Sequence, residues 1–264
     1  MCRSGASEVM TMSVASASED LRAQFARDGF LILRNVFSQS AARELADMLN
    51  ALYENFDRHA EGRFARDVGM RNGLADMRRQ PEIDRAVRLC PDLLTCEAYV
   101  ATRDVCSAIL GRPARYVFDH AILKMPGSDT PTAWHQDQGY MGDGIVIDSL
   151  NCWLPLQPVS AANGTLCYVP GSHLRGYQRH FRSDALNPHV MTTVVDESEA
   201  ICVEAGPGDL SLHHPLTLHG AGANVSDRER LAWSVHFSGF GRFDYLRPRN
   251  ILPTLKRRFV GLEG

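Results

Sequence analysis

The sequence predicts a mostly β protein with flanking α-helices, whose β part forms a sandwich or barrel such as a jelly roll. From Tyr116 onward, short runs rich in β-branched and aromatic residues are separated by Gly, Pro, Asn and Asp. Before that point, apolar residues recur at helical spacing instead. About eight successive strands without intervening helices are typical of such a core. We therefore expect a helical N-terminal layer packed against a C-terminal β-core.

The first elements of the chain are a helix and a strand. Ser16 and Glu19 have the spacing of a capping box, which predicts that a helix begins there and ends at Gly29. The apolar run at 30–33 predicts a strand.

Two further helices follow. Ser38 is a suitable N-cap for the second helix. The apolar stripe of this helix consists of Ala42, Leu45, Leu49, Leu52 and Phe56. Residues 58–79 are charged and aperiodic, so we expect a loop there, and residues 93–110 predict a third helix that stops at Gly111. The candidate strands of the β-core are 116–125, 149–156, 165–169, 191–195, 201–203, 209–213, 217–219 and 230–237.

Length and charge bound the organisation and the partners. The chain has 264 residues, of which 44% are hydrophobic, and a formal net charge of -3. We expect a flexible tail over 1–15 and a single domain over 16–264, with the helical layer at about 16–112 and the β-core at about 115–240. The near-balance of charge argues against nucleic-acid binding. The absence of a secretory signal and of an apolar run of about 18 residues argues against a membrane and favours a cytoplasmic protein.

Seven cysteines are scattered through the chain without a CxxC pair or a zinc-ligand spacing. Most lie inside apolar runs, where cysteine behaves as a small hydrophobic residue. We therefore predict buried free thiols in a reducing compartment.

Most of the ten histidines lie in the β-rich half. His135 and Asp137 are two residues apart and would face the same side of a strand, so both could bind one ion. His219 would come from another strand. Two imidazoles and one carboxylate leave other positions of a metal open, which suits non-haem Fe(II). A bare HxD is a weak signal, because two polar residues on an exposed strand edge give the same pattern.

Arg230 opens the apolar run that ends at Phe237. In a strand, Arg230 would share one face with Ala232, Ser234 and His236, which leaves room for a ligand beside the guanidinium. The planar fork of arginine suits a carboxylate. A surface arginine at the start of a strand is the alternative, and Arg228 is a second candidate for the same role.

Several motifs in this order resemble the phytanoyl-CoA dioxygenase family of Fe(II)/2-oxoglutarate oxygenases. The resemblance spans roughly residues 20–240. The matching segments are Asp28-Gly29-Phe30, Arg34-Asn35-Val36-Phe37, His135-Gln136-Asp137, Asn151-Cys152-Trp153, Asn163-Gly164-Thr165, Val169-Pro170-Gly171-Ser172-His173 and His213-His214-Pro215-Leu216-Thr217-Leu218-His219-Gly220. The family's fold is a double-stranded β-helix, of the jelly-roll or cupin-like kind.

The resemblance implies a role for particular residues. His135, Asp137 and His219 would hold Fe(II), and the C5 carboxylate of 2-oxoglutarate would pair with Arg230. Trp153 would pack against cosubstrate or substrate, although a plain core tryptophan is an equal alternative. His120 and Lys124 lie near further cosubstrate contacts of the family, with a core histidine as the alternative for His120. We assign structural roles to three further histidines: His173, His213 and His214.

The implied reaction is hydroxylation of an unactivated C–H bond of a small organic substrate, with O2 consumed and succinate and CO2 released. Ascorbate is an optional reductant. Desaturation, epimerisation or oxidative cyclisation would need the same cofactors. Because Asp137 is present, a halogenase is disfavoured. A zinc hydrolase and a non-catalytic metal- or ligand-binding barrel are the alternatives from other classes.

The substrate is less defined by the sequence. A secondary metabolite such as a polyketide or terpenoid is a better hypothesis than phytanoyl-CoA, and the protein is expected to be a monomer or a homodimer. The segments 57–79 and 173–188 are candidate lids. Their arginines either form a solvated charged face or contact an acidic substrate; they are Arg63, Arg66, Arg71, Arg78, Arg79, Arg175, Arg179 and Arg182.

Overall fold

A computed structural model describes residues 14–69, 78–140, 149–182 and 191–239 of the chain. The described residues contain five α-helices, which precede most of the β structure. These are α1 (Val14–Asp28), α2 (Gln39–Glu54), α3 (Phe56–Glu61), α4 (Ala86–Leu89) and α5 (Glu97–Leu110).

The same residues contain thirteen strands. In chain order they are β1 (Phe30–Leu33), β2 (Ala65–Asp67), β3 (Pro81–Asp84), β4 (Arg115–Lys124), β5 (Thr132–His135), β6 (Ser149–Pro155), β7 (Leu166–Tyr168), β8 (Phe181–Arg182), β9 (Met191–Thr192), β10 (Ile201–Cys202), β11 (Leu210–His213), β12 (His219–Ala221) and β13 (Arg230–Ser238).

The strands form two antiparallel sheets and a short pair. The larger sheet has the order β1-β11-β6-β13-β4-β3-β2, and the smaller has the order β10-β7-β12-β5. Strands that are distant in sequence lie side by side, as in a jelly roll: β12, for example, lies between β7 and β5. Mostly antiparallel β structure with a few flanking helices confirms the predicted fold class.

The central strand β13 separates two environments. Leu231, Trp233 and Val235 belong to the main hydrophobic core, which the larger sheet shares with the helices. Ala232 faces the other way and packs in a smaller cluster with Trp153 and Tyr168. We call these the outer face and the inner face of the larger sheet. The alternation predicted for Arg230 to Phe237 is therefore present, with Arg230 in the row that faces inward.

Local signals explain two of the helices. The side chain of Ser38 accepts a hydrogen bond of 3.1 Å from the backbone of Ala41, as predicted for the N-cap of α2. Gly111 follows α5 with a φ of 67°, the left-handed conformation in which glycine carries no Cβ penalty.

Several predicted boundaries are wrong. Helix α1 begins at Val14, so Ser16 lies inside it and does not cap it, and the tail is described only from residue 14 onward. The range 58–79 is not simply a loop, because it includes most of α3 and all of β2. The helix predicted at 93–110 is divided: a 3-10 turn at Pro91–Leu94 precedes α5. In the last two cases the elements have only three to six residues, too few for a periodic pattern to be visible in the sequence.

The prediction of free thiols is wrong for two cysteines. Cys167 on β7 and Cys202 on β10 are register partners in the smaller sheet and form a disulfide. The pairing could not be read from the sequence, because the two residues are separated by 35 positions. Cys90, Cys96, Cys106 and Cys152 are free, and all but Cys90 are buried. None of the helices in the described ranges is long and apolar enough to cross a membrane.

Candidate metal centre and cosubstrate site

Three predicted ligands meet between the two sheets. His135 ends β5, His219 begins β12, and the two are register partners across the smaller sheet. Asp137 lies just after β5, at the start of a 3-10 turn at Asp137–Tyr140. Its Oδ1 is 3.4 Å from His135 Nε2 and 3.6 Å from His219 Nε2. One ligand atom from each residue lies within 4.8 Å of the other two, a spacing that can hold one metal ion.

The predicted reason for this proximity needs a correction. We expected His135 and Asp137 to face one side because they occupy alternate positions of one strand. The strand stops at His135, and the turn that follows directs Asp137 back toward the imidazoles. The HxD spacing therefore identifies the residues, but a strand followed by a turn, and not a pleated strand, brings them together.

Backbone carbonyls fix both imidazole rings. His135 Nδ1 donates to Ala133 O at 2.7 Å, and His219 Nδ1 donates to Thr217 O at 2.9 Å. Each bond fixes the tautomer in which Nε2 carries a free lone pair, as in many metal-ligating histidines. Burial lowers the pKa of His219 well below its usual value, and the nearby His135 and His213 rings add to this effect. His219 is therefore in the neutral form that binds metals.

Two side chains hold the far oxygen of Asp137. His213 Nε2 donates to Asp137 Oδ2 at 2.9 Å, and Asn151 Nδ2 also donates to Oδ2. Oδ1 is thereby left to face the two imidazoles. Burial alone raises the pKa of Asp137, but His219, His135 and His213 outweigh burial and hold that pKa well below its usual range. Asp137 is thus an ionised, oriented carboxylate.

The sequence did not predict the role of these two supporting residues. A structural role was expected for His213, whereas β11 directs His213 to Asp137. A hydrogen-bond chain continues behind it, with the Tyr168 hydroxyl 3.3 Å from His213 Nδ1 and 2.7 Å from Ser211 Oγ. Asn151 and His213 are register partners on β6 and β11. Both residues lie in motifs that resemble the family, but the motifs do not show in which direction the side chains point.

Arg230 is buried, with 2% of its surface exposed. Its Nη2 donates to Gly164 O at 3.0 Å, whereas its Nε and Nη1 have no hydrogen-bond partner among the residues that the structure describes. Burial lowers the pKa of Arg230 to about 10, so the guanidinium is charged at neutral pH. Nε and Nη1 lie on different edges of the guanidinium, and each edge also includes Nη2, which has a second N–H. A carboxylate can therefore bond to Nη2 together with either Nη1 or Nε, and would supply the buried cation with an anion. The predicted alternative of a surface arginine is wrong.

Lys124 and Trp153 lie next to Arg230. Lys124 is the register partner of Arg230 on β4, and its Nζ donates to Gly222 O at 2.5 Å and to Thr130 O at 3.3 Å. Burial and the charge of Arg230 lower the pKa of Lys124 well below its usual value. The Arg230 guanidinium carbon is 5.5 Å from the centre of the Trp153 ring, so Trp153 packs against this cation on the inner face.

His120 lies on the same inner face, four register rows from Arg230. It is the partner of Ser234, and its Nδ1 is bonded to Glu82 on β3. Glu82 is bonded in turn to Arg66, 3.1 Å away. His120 was predicted to be a core histidine with a satisfied hydrogen bond. It has the hydrogen bond, but it is only partly buried.

Most arginines of the candidate lids that the structure describes are paired within the chain. Arg78 pairs with Asp57, Arg175 with Glu199, and Arg79 and Arg66 with further carboxylates. Arg71 and residues 183–188 lie outside the described residues. The pairs that are described favour a solvated charged face over contact with an acidic substrate.

Comparison with known proteins identifies the family. A sequence profile described as phytanoyl-CoA dioxygenase (PhyH) matches residues 25–232, a range that contains His135, Asp137, His219 and Arg230. The chain belongs to the phytanoyl-CoA dioxygenase family. A "Phytanoyl-CoA dioxygenase domain-containing protein 1 homolog" of Caenorhabditis briggsae is 23% identical over 257 residues, which cover 82% of this chain and 89% of that protein.

Solved structures agree with this family assignment. The crystal structure of EvdO2 from Micromonospora carbonacea var. aurantiaca, complexed with 2-oxoglutarate, is 27% identical with a TM-score of 0.70, covering 87% of this chain and 92% of that chain. The epimerase SnoN, in complex with Fe3+, alpha ketoglutarate and nogalamycin RO, shares the fold at 24% identity and a TM-score of 0.63, covering 84% of this chain and 83% of that chain. The predicted jelly roll and the predicted class, an Fe/2-oxoglutarate-dependent oxygenase, are thus confirmed.

Proposed function

We propose that this phytanoyl-CoA dioxygenase family member uses Fe(II), 2-oxoglutarate and O2 to oxidise a C–H bond of a small organic substrate, most simply by hydroxylation. The observation that carries the proposal is the convergence of His135, Asp137 and His219, with ligand atoms within 4.8 Å of one another. Two imidazoles and one carboxylate leave several positions of an Fe(II) ion open. The residue types and their orientation therefore fit this metal.

The fit for 2-oxoglutarate depends on Arg230. Its Nε and Nη1 are buried and have no partner among the described residues, and the C5 carboxylate of 2-oxoglutarate would accept from one of them together with Nη2. Trp153 would border the same anion, since it already packs against the guanidinium. Lys124 lies beside Arg230, and its Nζ stays bonded to backbone carbonyls.

When bound, the iron and 2-oxoglutarate supply the oxidising chemistry, and the protein supplies position and environment. The two imidazole rings are held by the carbonyls of Ala133 and Thr217, so they need no reorientation on binding metal. Asp137 presents Oδ1 because its Oδ2 is occupied by Asn151 and His213. Such preorganisation is the main contribution that a protein makes to a cofactor reaction.

The type of oxidation depends on which substrate atom lies near the metal. Hydroxylation is our proposal, with desaturation, epimerisation and cyclisation as the alternatives that use the same cofactors. The likeness to SnoN, whose structure contains nogalamycin RO, supports a secondary metabolite as substrate over phytanoyl-CoA. A zinc hydrolase or a non-catalytic barrel would not need an unpaired arginine such as Arg230 beside the three ligands.

Anaerobic spectroscopy tests the proposal. Fe(II) and 2-oxoglutarate added together should produce a weak visible charge-transfer band, and admission of O2 should then yield succinate. Zn(II) in place of Fe(II) should give neither. Wild-type protein without the band, or a band that survives in both Asp137→Ala and Arg230→Ala, would contradict the proposal and favour one of the other two classes.

A further inference from the structure

Three side-chain rings form a continuous patch on the inner face of the larger sheet. Phe118 and His120 lie on β4, and His236 lies on β13 as the register partner of Phe118. The ring centres are 5.5 to 5.8 Å apart, and both pairs that include His236 have edge-to-face geometry. All three residues are only partly buried although they face between the sheets. The rings therefore border accessible space, and we call them the ring patch.

The ring patch adjoins the metal ligands. Asn151 is the register partner of His236 on the opposite side of β13, and the same Asn151 donates to Asp137 Oδ2. The row His213–Asn151–His236–Phe118 thus runs across four strands, from the residues that hold the carboxylate ligand to the ring patch. A molecule that lies on the patch would lie beside the metal centre.

The two histidines of the patch have different electrostatic surroundings. Burial opposes a proton on His120, but Glu82, Asp84 and Asp137 outweigh burial and raise its pKa. Burial lowers the pKa of His236 to about 3, so that ring is neutral, and its Nε2 is 3.2 Å from Ser234 Oγ. The patch therefore combines the neutral ring of His236 and the apolar ring of Phe118 with an imidazole that is paired with the carboxylate of Glu82.

Glu82 fixes the direction in which His120 donates. The carboxylate of Glu82 is bonded to His120 Nδ1 and is itself held by Arg66 Nη2 at 3.1 Å. This bond occupies Nδ1 and leaves Nε2 to face a ligand. Nε2 donates when the ring is protonated, which is the form that the paired carboxylate favours. A hydrogen bond to an anionic oxygen is roughly twice as strong as one between neutral groups.

We propose that Phe118, His120 and His236 form the substrate-binding wall, and that the substrate is a planar ring compound whose ionised oxygen, a carboxylate or a phenolate, accepts a hydrogen bond from His120 Nε2. The proposal rests on the proposed function, since it places a C–H bond of that ring beside the metal. Ring faces and edges supply the contact area, and one charged donor supplies the orientation, which is the usual composition of a small-molecule site.

Binding of shape-matched probes tests this substrate class without turnover. The protein is loaded anaerobically with Fe(II) and 2-oxoglutarate, and the charge-transfer band reports whether the oxygenase site has formed. 2-Naphthoate and 2-naphthamide, which share a planar ring system and differ in charge, are then titrated by calorimetry. We expect wild type to bind the acid at least about tenfold more tightly than the amide, as one hydrogen bond to a charged group predicts.

Variants separate the two parts of the patch. His120→Gln should bind the acid and the amide equally, and Glu82→Gln should reduce the preference because His120 loses its orienting carboxylate. Phe118→Leu should weaken both probes by the same factor. His59→Gln removes a histidine from α3, outside the two sheets, and should behave as wild type.

Each result has a distinct meaning. No binding of either probe at millimolar concentration, equal binding of the two by wild type, or a preference that persists in His120→Gln would overturn the substrate class. If His120→Gln weakens 2-oxoglutarate instead of the probes, His120 belongs to the cosubstrate site and the proposal is also overturned. A missing charge-transfer band in wild type would instead contradict the proposed function.

Discussion

Two groups of three residues on the inner side of the molecule have the composition of a metal site. One is His135, Asp137 and His219, and the other is Glu82, Asp84 and His120. In both groups the ligand atoms lie within 4.8 Å of one another. Proximity of histidines and carboxylates therefore does not distinguish them, although their charge balance does.

The difference lies in what already neutralises the carboxylates. Arg66 pairs with both Glu82 and Asp84, and Glu82 also holds His120, so the second group is an internal ion-pair network. Asp137 has three histidine neighbours and an amide, and no lysine or arginine pairs with it among the described residues. A buried carboxylate that is not paired with a permanently charged side chain is stabilised when it binds a cation. We expect a metal in the first group and none in the second.

The largest contrast should come from matched amide substitutions. Asp137→Asn removes the charged ligand, so Fe(II) binding should weaken by more than the about 100-fold typical of an outer-shell change, and succinate formation should fall to background. Glu82→Gln should keep the affinity for Fe(II), because the side-chain hydrogen-bond partners of Glu82 in the described ranges are His120 and Arg66 and not a ligand of the first group. Anaerobic titration of the charge-transfer band measures both. Equal losses in the two variants would contradict the distinction between the groups.

A matched pair of arginines extends the contrast to the cosubstrate. Arg230→Gln should raise the Kd for 2-oxoglutarate by about 10- to 100-fold, because a hydrogen bond to a charged group contributes about 1.5–3 kcal/mol. Arg66→Gln should leave this Kd unchanged, since the partners of Arg66 are Glu82 and Asp84. The same anaerobic titration, with 2-oxoglutarate varied, gives both constants. An unchanged Kd in Arg230→Gln would remove Arg230 from the site.

Two residues of the first group could be predicted from the sequence because they are only two positions apart. The HxD pair needs only one strand and one turn, and Arg230 opens a strand whose alternation is visible along β13. The second group depends on the register of β3 against β4, where Asp84 faces His120 and Glu82 faces Ile122. Such register is determined by distant pairing and not by the residues themselves. The Cys167–Cys202 disulfide was not predicted for the same reason, because it depends on the register of β7 against β10.

His213 and Asn151 show the same limit within the first group. Their motifs were recognised, but their orientation follows from the pairing of β11 with β6, which directs both toward Asp137. The sequence does not show which buried carboxylate a side chain at the end of a strand will contact. The core positions of β13 were predictable because alternation alone assigns each residue to a face.

The supporting residues should have a smaller effect than the ligand they hold. His213→Phe or Asn151→Leu removes one donor from Asp137 Oδ2, and the affinity for Fe(II) should fall by about 10- to 100-fold while the charge-transfer band remains attainable at higher Fe(II). His59→Gln is the histidine control. If either variant binds Fe(II) as tightly as wild type, hydrogen bonds to Oδ2 do not orient the carboxylate.

Loss of the ion pairs that Glu82 forms in the second group should have the smallest effect on cofactor binding and the clearest effect on the free energy of unfolding. Burial raises the pKa of Glu82, but His120 and Arg66 outweigh burial and lower it from 4.5 to about 2. A depressed carboxyl pKa contributes stability that is present above the unfolded value and is lost as pH falls toward the folded value. A shift of this size corresponds to about 3 kcal/mol.

The pH dependence of unfolding can therefore distinguish an ion pair from a metal site. Wild type should exceed Glu82→Gln in free energy of unfolding by about 3 kcal/mol above pH about 4.5, and the excess should disappear as pH falls toward about 2. His120 sets the other limit: its raised pKa contributes stability that is full below about 6.5 and is lost as pH rises through the folded value. Asp57→Asn, which breaks an exposed pair with Arg78, should change little. Urea denaturation of metal-free protein gives these differences, and an excess that stays constant down to pH 2 would mean that Glu82 and His120 do not stabilise each other as charges.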